Sequence, residues 1–180
     1  MRRFAQGLYI FLVLYGLIYT FFFDVPTTFL AQIFAGDADP LAGMVFNFLG
    51  LIPLALLLYF LRYYQLKWFH YVILLSSFVL GGFASGLIFF FFPEERKEEK
   101  PMRLAAILGL VLSLLTLVTG FAGSFESFTQ LFIEDSFVHV MTIDFFVLFG
   151  FYLALPKYKK SPWQATFVIG MFYQLLDKPA

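Results

Sequence analysis

The chain has 180 residues, of which 61% are hydrophobic and only 13% are charged, and its mean hydropathy is +0.85. Water-soluble domains of ordinary composition carry about 25% charged residues, so this composition predicts an integral membrane protein. The formal net charge is zero, and we expect no nucleic-acid partner. Cysteine is absent, which excludes disulfides, thiolate metal ligands and cysteine nucleophiles.

Six apolar runs follow one another along the chain. A transmembrane helix needs about 20 apolar residues to cross the hydrocarbon core, and the first five runs reach that length whereas the sixth is short. The first run is too long for the apolar part of a signal peptide, so it is expected to remain as a helix. The sequence therefore predicts an all-α integral membrane protein with six transmembrane segments, at residues 4–23, 41–61, 68–92, 102–123, 136–155 and 163–176.

Two connecting stretches resemble each other. "FDVPTTFLAQIFAGDADP" follows the first run and "GSFESFTQLFIEDS" follows the fourth. Polar residues recur at helical spacing opposite an aromatic face, which predicts a short amphipathic helix at the membrane interface in each stretch. These polar residues are Thr28 and Gln32 in the first stretch, and Glu126, Gln130 and Glu134 in the second.

An alignment of these stretches, with one gap, extends into the helices that follow. It predicts an internal repeat with a first half at 1–92, a charged linker at 93–101 and a second half at 102–180; a chance likeness between Phe-rich helices is the alternative. Three spans in each half would make the repeat inverted, as in many transporters. The matched pairs are Gln32 with Gln130, Phe34 with Phe132, Asp37 with Asp135, Met44 with Met141, and Asn47 with Asp144.

The positive charges give a divided prediction of orientation. Residues Arg2, Arg3, Arg62 and Lys67 favour a cytoplasmic N-terminus, because cytoplasmic loops are enriched in Lys and Arg. If all six segments cross, the charged linker and the lysines at 157, 159 and 160 lie on the opposite side of the membrane from Arg2, Arg3, Arg62 and Lys67. Their positive charges then favour the reverse orientation. We expect an inner or thylakoid membrane protein with its N-terminus in the cytoplasm.

Asp144 is the strongest candidate for a functional residue. It lies seven residues into the fifth run from Phe137, about 10 Å along a helix and below the lipid headgroups. A carboxylate there is costly, so it should be paired, protonated or in contact with water. It is either a ligand-binding or proton-coupling group, or a structural hydrogen-bond partner. In an inverted repeat it would approach Asn47, whose amide can donate to it.

His139 belongs to a different helical face. Asp135 and His139 share one face, whereas Asp144 lies about 140° away, so His139 and Asp144 form no dyad. One prediction for His139 is a hydrogen bond between its imidazole and the Asp135 carboxylate, which would raise the pKa of His139; an interfacial capping role is the other. His70 and His139 are the two histidines, and a haem between them is not expected.

Two blocks, "FNFLGLIPLALLLYF" and "FVHVMTIDFFVL", resemble those of small, uncharacterised membrane proteins of cyanobacteria and plastids. The pattern around "FTQLF" is similar to that of another short membrane family of unknown function. Asp144 and His139 match the family blocks, whereas the charged linker does not match. The resemblance implies a photosynthetic membrane and carries over no catalytic residue.

Three functions follow as hypotheses. The first is a small transporter or membrane ligand carrier with a midplane site at Asn47 and Asp144, whose entrances Gln32, Asp37, Gln130, Glu134 and Asp135 would flank. The second is an accessory or assembly subunit of a larger membrane complex, with aromatic surfaces against lipid, partner subunits, carotenoid or chlorophyll. The third is an enzyme acting on a lipid or isoprenoid, with Asp144 and either Glu126 or Glu134 as acids. No catalytic set or metal site is predicted.

Overall fold

The computed structural model describes residues 2–23, 25–96, 101–155 and 167–176. Its longer helices are connected by short turns, and one pair of two-residue strands joins two of the connections. The elements are α1 Arg2–Phe22, α2 Phe29–Ala35, α3 Pro40–Tyr63, β1 Tyr64–Gln65, α4 Trp68–Leu80, α5 Gly82–Ser85 with the 3-10 turn Gly86–Phe89, β2 Glu94–Glu95, α6 Arg103–Gly120, α7 Phe125–Glu134, α8 Ser136–Leu153 and α9 Phe167–Gln174.

Within these described ranges, four helices are long and apolar enough to cross a membrane: α1, α3, α6 and α8. The prediction of a helical membrane protein is confirmed in this coarse form. The two predicted amphipathic stretches each contain a helix, α2 before α3 and α7 before α8. Each half of the chain thus has a long helix, a short helix and a second long helix in the same order.

Aspartates fix where α3 and α8 begin. One oxygen of Asp39 accepts from Leu41 N and Ala42 N, both at 2.9 Å. One oxygen of Asp135 likewise accepts from Phe137 N and Val138 N, at 2.9 and 3.0 Å. The first N–H groups of a helix have no partner within it, so a carboxylate at this position satisfies them and opposes the helix dipole.

The prediction that residues 68–92 form a third transmembrane helix is wrong. The described chain folds back in its middle instead of crossing. Its start and end meet, because His70 Nε2 donates to the Phe91 carbonyl over 2.8 Å. Strand β1 comes shortly before His70 and β2 shortly after Phe91, and the two strands pair antiparallel. Tyr64 therefore lies opposite Glu95, and Gln65 opposite Glu94. The predicted linker at 93–101 therefore begins as part of this ladder, and its residues 97–100 lie outside the described ranges.

The reversal takes place at Gly81. Helix α4 has 13 residues, about 20 Å, and ends where Gly81 adopts φ 55° and ψ −133°. A positive φ is costly for other residues and ends the helix, and α5 with its 3-10 turn then leads back. Arg2 Nε and Nη2 hold the returning end through the carbonyls of Phe89 and Phe90, at 2.7 and 2.8 Å. We call this segment the re-entrant hairpin, because its two ends meet.

The directions of the long helices follow from their contacts. Tyr15 near the end of α1 bonds to His139 near the start of α8, so these two helices are antiparallel. The ring of Phe46 lies beside that of Phe137, and the ring of Phe48 beside that of Phe145, so α3 and α8 run in the same direction. The end of α6 at Gly120 and Gly123 lies against the start of α3 at Met44 and Leu41, so α6 is antiparallel to α3, as α1 is. Among the described residues, α1 and α6 therefore run in the same direction, and the inverted relation predicted from three spans is not found.

The sixth predicted span, 163–176, lies partly outside the described residues. Its described part, α9, has eight residues, about 12 Å, which is too short to cross the hydrocarbon core by itself. Val168 near its start faces the middle of α3 and α8, and the carbonyl of Leu175 after its end accepts from buried Arg62 Nη1 over 2.8 Å. Helix α9 therefore runs from the interior to the end of α3.

Helices α3 and α8 pack together at the centre of the molecule, and the peripheral elements contact the opposite half. Helix α6 packs on α3 and α1 packs on α8; likewise α7 contacts α3 and α2 contacts α8. The hairpin segment α5 lies against α1 and α8, while α9 lies against α6 and α3. Each half thus packs its first long helix and its short helix against the second long helix of the other half.

The charges divide between the two ends of this arrangement. The sequence contains no Lys or Arg between residues 4 and 61 or between 104 and 156, and each of these stretches holds two long helices and the connection between them. These two connections carry only acidic charge, for example Asp37, Asp39 and Glu126. Arg2, Arg62 and the hairpin base are at the other end, which we call the basic end.

Candidate functional site

The carboxylate of Asp144 lies in the middle of α8. It is eight residues after Ser136, about 12 Å along the helix, and only 6% of the residue is exposed. A charged carboxylate at the centre of a membrane helix costs roughly 2.5–3.5 kcal/mol on insertion scales. The surrounding contacts therefore decide whether this group can remain there.

The tip of the re-entrant hairpin meets this carboxylate. Gly82 N donates to both oxygens, at 2.8 Å to Oδ1 and 3.1 Å to Oδ2. A methyl group on Gly81 or Gly82 would overlap the carboxylate, so the absence of both side chains is what allows the approach. An ionised carboxylate has about four acceptor sites, and one shared N–H leaves most of them unused.

A cavity of about 420 Å³ lies beside the carboxylate, between α3, α8 and the hairpin tip. Asp144 is the one titratable side chain among the described residues that line it. The walls are otherwise apolar except for the amide of Asn47. The lining comprises Phe46, Asn47, Leu49, Gly50, Phe78, Val79, Leu80, Gly81, Phe83, Phe137, Val140, Met141 and Asp144.

The predicted hydrogen bond between Asn47 and Asp144 is not found among the described residues. Both side chains line the same cavity, but Asp144 takes its hydrogen bond from Gly82, and Asn47 is exposed. The reason is that the backbone N–H of Gly82, at the hairpin tip, is the group that reaches the carboxylate. Asn47 and Asp144 therefore line one cavity without bonding to each other.

His139 does not bond to Asp135 through its side chain, contrary to one of the two predictions. Its Nδ1 contacts the Phe132 carbonyl at 2.9 Å, and its Nε2 contacts the hydroxyl of Tyr15. A carbonyl only accepts, so Nδ1 carries a proton, and in the neutral ring Nε2 accepts from Tyr15. The imidazole lies between the rings of Tyr19 and Phe132, whose centroids are 4.4 and 4.2 Å away. His139 thus joins α1, α7 and α8 and does not reach the cavity.

Asp135 serves both α8 and α2. Its second oxygen accepts from Thr28 N at 2.6 Å and Phe29 N at 2.9 Å, in addition to the two bonds at the start of α8. Burial acts to raise the pKa of Asp135, but the bonds from Thr28, Val138 and Phe29 outweigh it and hold this pKa below 3.8. The residue is a structural junction.

The other predicted entrance residues lie away from the cavity. Gln130 and Glu134 are exposed on α7 and bond to each other at 3.2 and 3.3 Å. Gln32 is half-buried on α2, and Asp37 is exposed in the following turn. Neither Glu126 nor Glu134 lines the cavity with Asp144, so the second acid required by the enzyme hypothesis is missing from its described lining.

His70 is part of the hairpin base. Its Nδ1 accepts from Lys67 N over 2.9 Å while Nε2 donates to Phe91, so both ring nitrogens are used. His70 lies at the basic end and His139 at the other, so the two imidazoles do not face a common space. Within the described residues no three His, Cys, Asp or Glu side chains form a metal-binding group.

A second cavity, of about 470 Å³, lies on the other side of the α3 and α8 pair and is almost entirely apolar. The hydroxyl of Thr142 in its wall already donates to the Val138 carbonyl of its own helix over 2.7 Å. No polar side chain of this lining is therefore free to orient a ligand. The walls are Met44, Val45, Phe48, Leu117, Phe128, Thr142, Phe145, Phe146, Val168 and Ile169.

Sequence reasoning missed Gly81 and Gly82 as parts of the site. The signal was the segment "LGGFASG" in the middle of an apolar run, where two consecutive glycines weaken a helix.

Comparison of the chain with protein-family models, with curated proteins and with solved structures found no match.

Proposed function

We propose that the chain is a small membrane carrier that binds its ligand or coupling ion at Asp144, with Asn47 as a second polar contact. One observation carries the proposal: among the described residues, a buried carboxylate in the middle of a candidate span has a single backbone donor, and it borders a 420 Å³ cavity. A carboxylate needed only for packing would be expected to have its acceptor sites filled by protein donors.

The re-entrant hairpin supplies an element that is able to move. Its tip is tied to α8 by the bonds between Gly82 N and the Asp144 carboxylate, whereas its base is held by Arg2, His70 and the β1–β2 ladder. A cation or proton on Asp144 weakens its hold on Gly82. Binding and release of the tip would then be coupled, as in transporters with discontinuous membrane helices.

We further propose that the basic end is cytoplasmic. With four crossings, both stretches that lack Lys and Arg place their connections at the opposite end, and the conflict found with six spans disappears. The N-terminus and the base of the hairpin are then on the cytoplasmic side. The two halves are best described as a parallel rather than an inverted repeat. An inner membrane fits this arrangement, and the family resemblance favours a thylakoid.

Reconstituted vesicles test the carrier proposal. Cationic, neutral and anionic solutes are added in turn, and accumulation is measured for the original chain and for Asp144→Asn. We expect at least one class to accumulate, and its rate to fall at least tenfold in Asp144→Asn with an unchanged melting temperature. Glu134→Gln, an exposed acid outside the cavity, is the matched control and should retain the rate. Failure of all three classes to accumulate would refute the proposal.

A second candidate is an accessory subunit of a larger membrane complex, for example a photosynthetic one. It is favoured by the apolar 470 Å³ cavity and the apolar outer faces of α1 and α6. Carotenoid, chlorophyll or lipid chains would fill such a surface without polar contacts. Purification from native membranes in a mild detergent separates the two candidates. Co-purifying subunits or pigment would support the accessory role, and a pigment-free monomer would contradict it.

A further inference from the structure

We infer that the ligand of the Asp144 cavity is an organic ammonium ion. The inference rests on the proposed function, since it names the chemical class that this carrier site would take. It follows from three properties of the cavity: its charge, its size together with the number of its oxygen atoms, and its aromatic walls.

Among the described residues, the charge of the site is that of one carboxylate without an ion-pair partner. No Lys, Arg or His belongs to the described lining, and two bases on the neighbouring helices, Arg2 and His139, have partners elsewhere. Arg2 donates to the carbonyls of Phe89 and Phe90, and His139 contacts Phe132 and Tyr15. In a medium of low dielectric constant a lone carboxylate attracts a single positive charge strongly. The complementary ligand is a monocation.

The size and the oxygen count favour an organic cation over a metal ion. Ca²⁺ takes 6–8 oxygen ligands and Mg²⁺ an octahedral set, whereas the side-chain oxygens here are those of Asp144 and Asn47. The volume of about 420 Å³ is almost three times the roughly 150 Å³ that encloses one benzene molecule. A bare ion would leave this space empty, but a ligand with about 10 to 18 non-hydrogen atoms fills it, on the same scaling.

The walls suit the hydrocarbon part of such a ligand. Phenylalanine rings come from all three surrounding elements, and a ring face attracts a cation within about 6 Å of its centroid. A substituted ammonium group can contact the carboxylate and the rings at the same time, and its N–H, where present, can donate to the Asn47 carbonyl. The rings are Phe46 on α3, Phe78 and Phe83 in the hairpin, and Phe137 on α8.

Paired probes of equal shape test this inference. Phenethyltrimethylammonium is compared with its uncharged analogue, in which carbon replaces the nitrogen, by equilibrium binding to the full chain in detergent. We expect the cation to bind at least tenfold more tightly, and Na⁺ or K⁺ at the same concentration not to displace it. Asp144→Asn should remove the preference, whereas Glu134→Gln should keep it. Equal binding of the two probes to the unaltered chain, or displacement by Na⁺, would overturn the inference.

Transport of the same probes separates this inference from the carrier proposal. If the cation binds through Asp144 but does not accumulate in vesicles, the ligand class stands and the carrier proposal fails. If a neutral or anionic solute accumulates in an Asp144-dependent way while the cation does not bind, the carrier proposal stands and the ammonium inference fails. Because the paired-probe comparison uses the unaltered chain, it gives a result even if Asp144→Asn does not fold.

Discussion

At the scale of single residues, two aspartates with the same local role differ in what else they hold. Asp39 and Asp135 each satisfy two N–H groups at the start of a long helix, but Asp135 is also the partner of Thr28 and Phe29 in the other half. The second set of bonds joins α2 to α8 across more than 100 residues of sequence. Asp135 is therefore expected to matter more for stability.

Asp135→Ala should lower the free energy of unfolding by about 2–4 kcal/mol, because it removes a helix cap and leaves Thr28 N and the buried Phe29 N without their acceptor. Asp39→Ala removes only a cap and should cost about 1 kcal/mol. Denaturation in detergent micelles compares the two variants directly. Equal losses of unfolding free energy in the two variants would show that the bonds from Asp135 to α2 do not contribute to stability.

The pKa of Asp135 predicts a dependence of stability on pH. Since this pKa is lower in the folded chain than its ordinary value of 3.8, the carboxylate contributes its full stabilisation above about pH 5. That contribution is lost as the pH falls through 3.8 towards the folded-state pKa. The melting temperatures of the original chain and Asp135→Asn should differ by a constant amount above pH 5 and converge below pH 4. A constant difference down to pH 3 would contradict the assignment.

At the scale of elements, the hairpin tip depends on two residues that have no side chain. Gly82→Ala should lower the unfolding free energy by about 1–3 kcal/mol, since the new methyl group overlaps the Asp144 carboxylate and Leu12. Gly43→Ala is the control, because its methyl group meets nothing within 4 Å and should stabilise α3 by about 0.5–1 kcal/mol. When Asp144 is also replaced by Ala, Gly82→Ala should lower the unfolding free energy by a smaller amount. An equal loss in both backgrounds would show that the Asp144 carboxylate is not the group that the new methyl group overlaps.

Much of the element list could be predicted from the sequence, and the hairpin could not. The helices α1, α3, α6 and α8 correspond to continuous apolar runs, whose length and composition make them candidate membrane spans. Residues 68–92 are equally apolar, but hydropathy does not distinguish a helix that crosses from one that turns back inside the bilayer. The difference depends on the backbone at Gly81 and on the distant partners His70, Phe91 and Arg2.

In the candidate site, too, contacts between residues that are distant in sequence could not be predicted. Asp144 and Asn47 could be singled out because polar groups are costly inside the membrane, and they do line one cavity. The partner of the carboxylate could not be predicted, since it is a backbone N–H that any residue type carries. For His139 a local bond to Asp135 is one of the two predictions and an interfacial capping role is the other. Its partner Tyr15 is 124 positions away in sequence, and no local pattern indicates it.

At the scale of the whole molecule, the proposed four crossings and the hairpin make a definite prediction about sidedness. Since the chain has no cysteine, single replacements give an unambiguous background for labelling with a membrane-impermeant maleimide. Gln65→Cys and Glu94→Cys lie opposite each other in the ladder and should label from the same side, the cytoplasm. Asp37→Cys and Glu126→Cys should label from the other side. Labelling of positions 65 and 94 from opposite sides would restore a third crossing.

The central claim is that the Asp144 carboxylate is an open site in the membrane interior and not a sealed structural contact. Carbodiimides add to carboxyl groups, and mass spectrometry of the intact membranes identifies which residues are modified. We expect a lipid-soluble carbodiimide to modify Asp144, a water-soluble one to spare it, and phenethyltrimethylammonium to slow the reaction. If the lipid-soluble reagent leaves Asp144 unmodified while modifying the exposed Glu126, the carboxylate is closed off and the account is wrong.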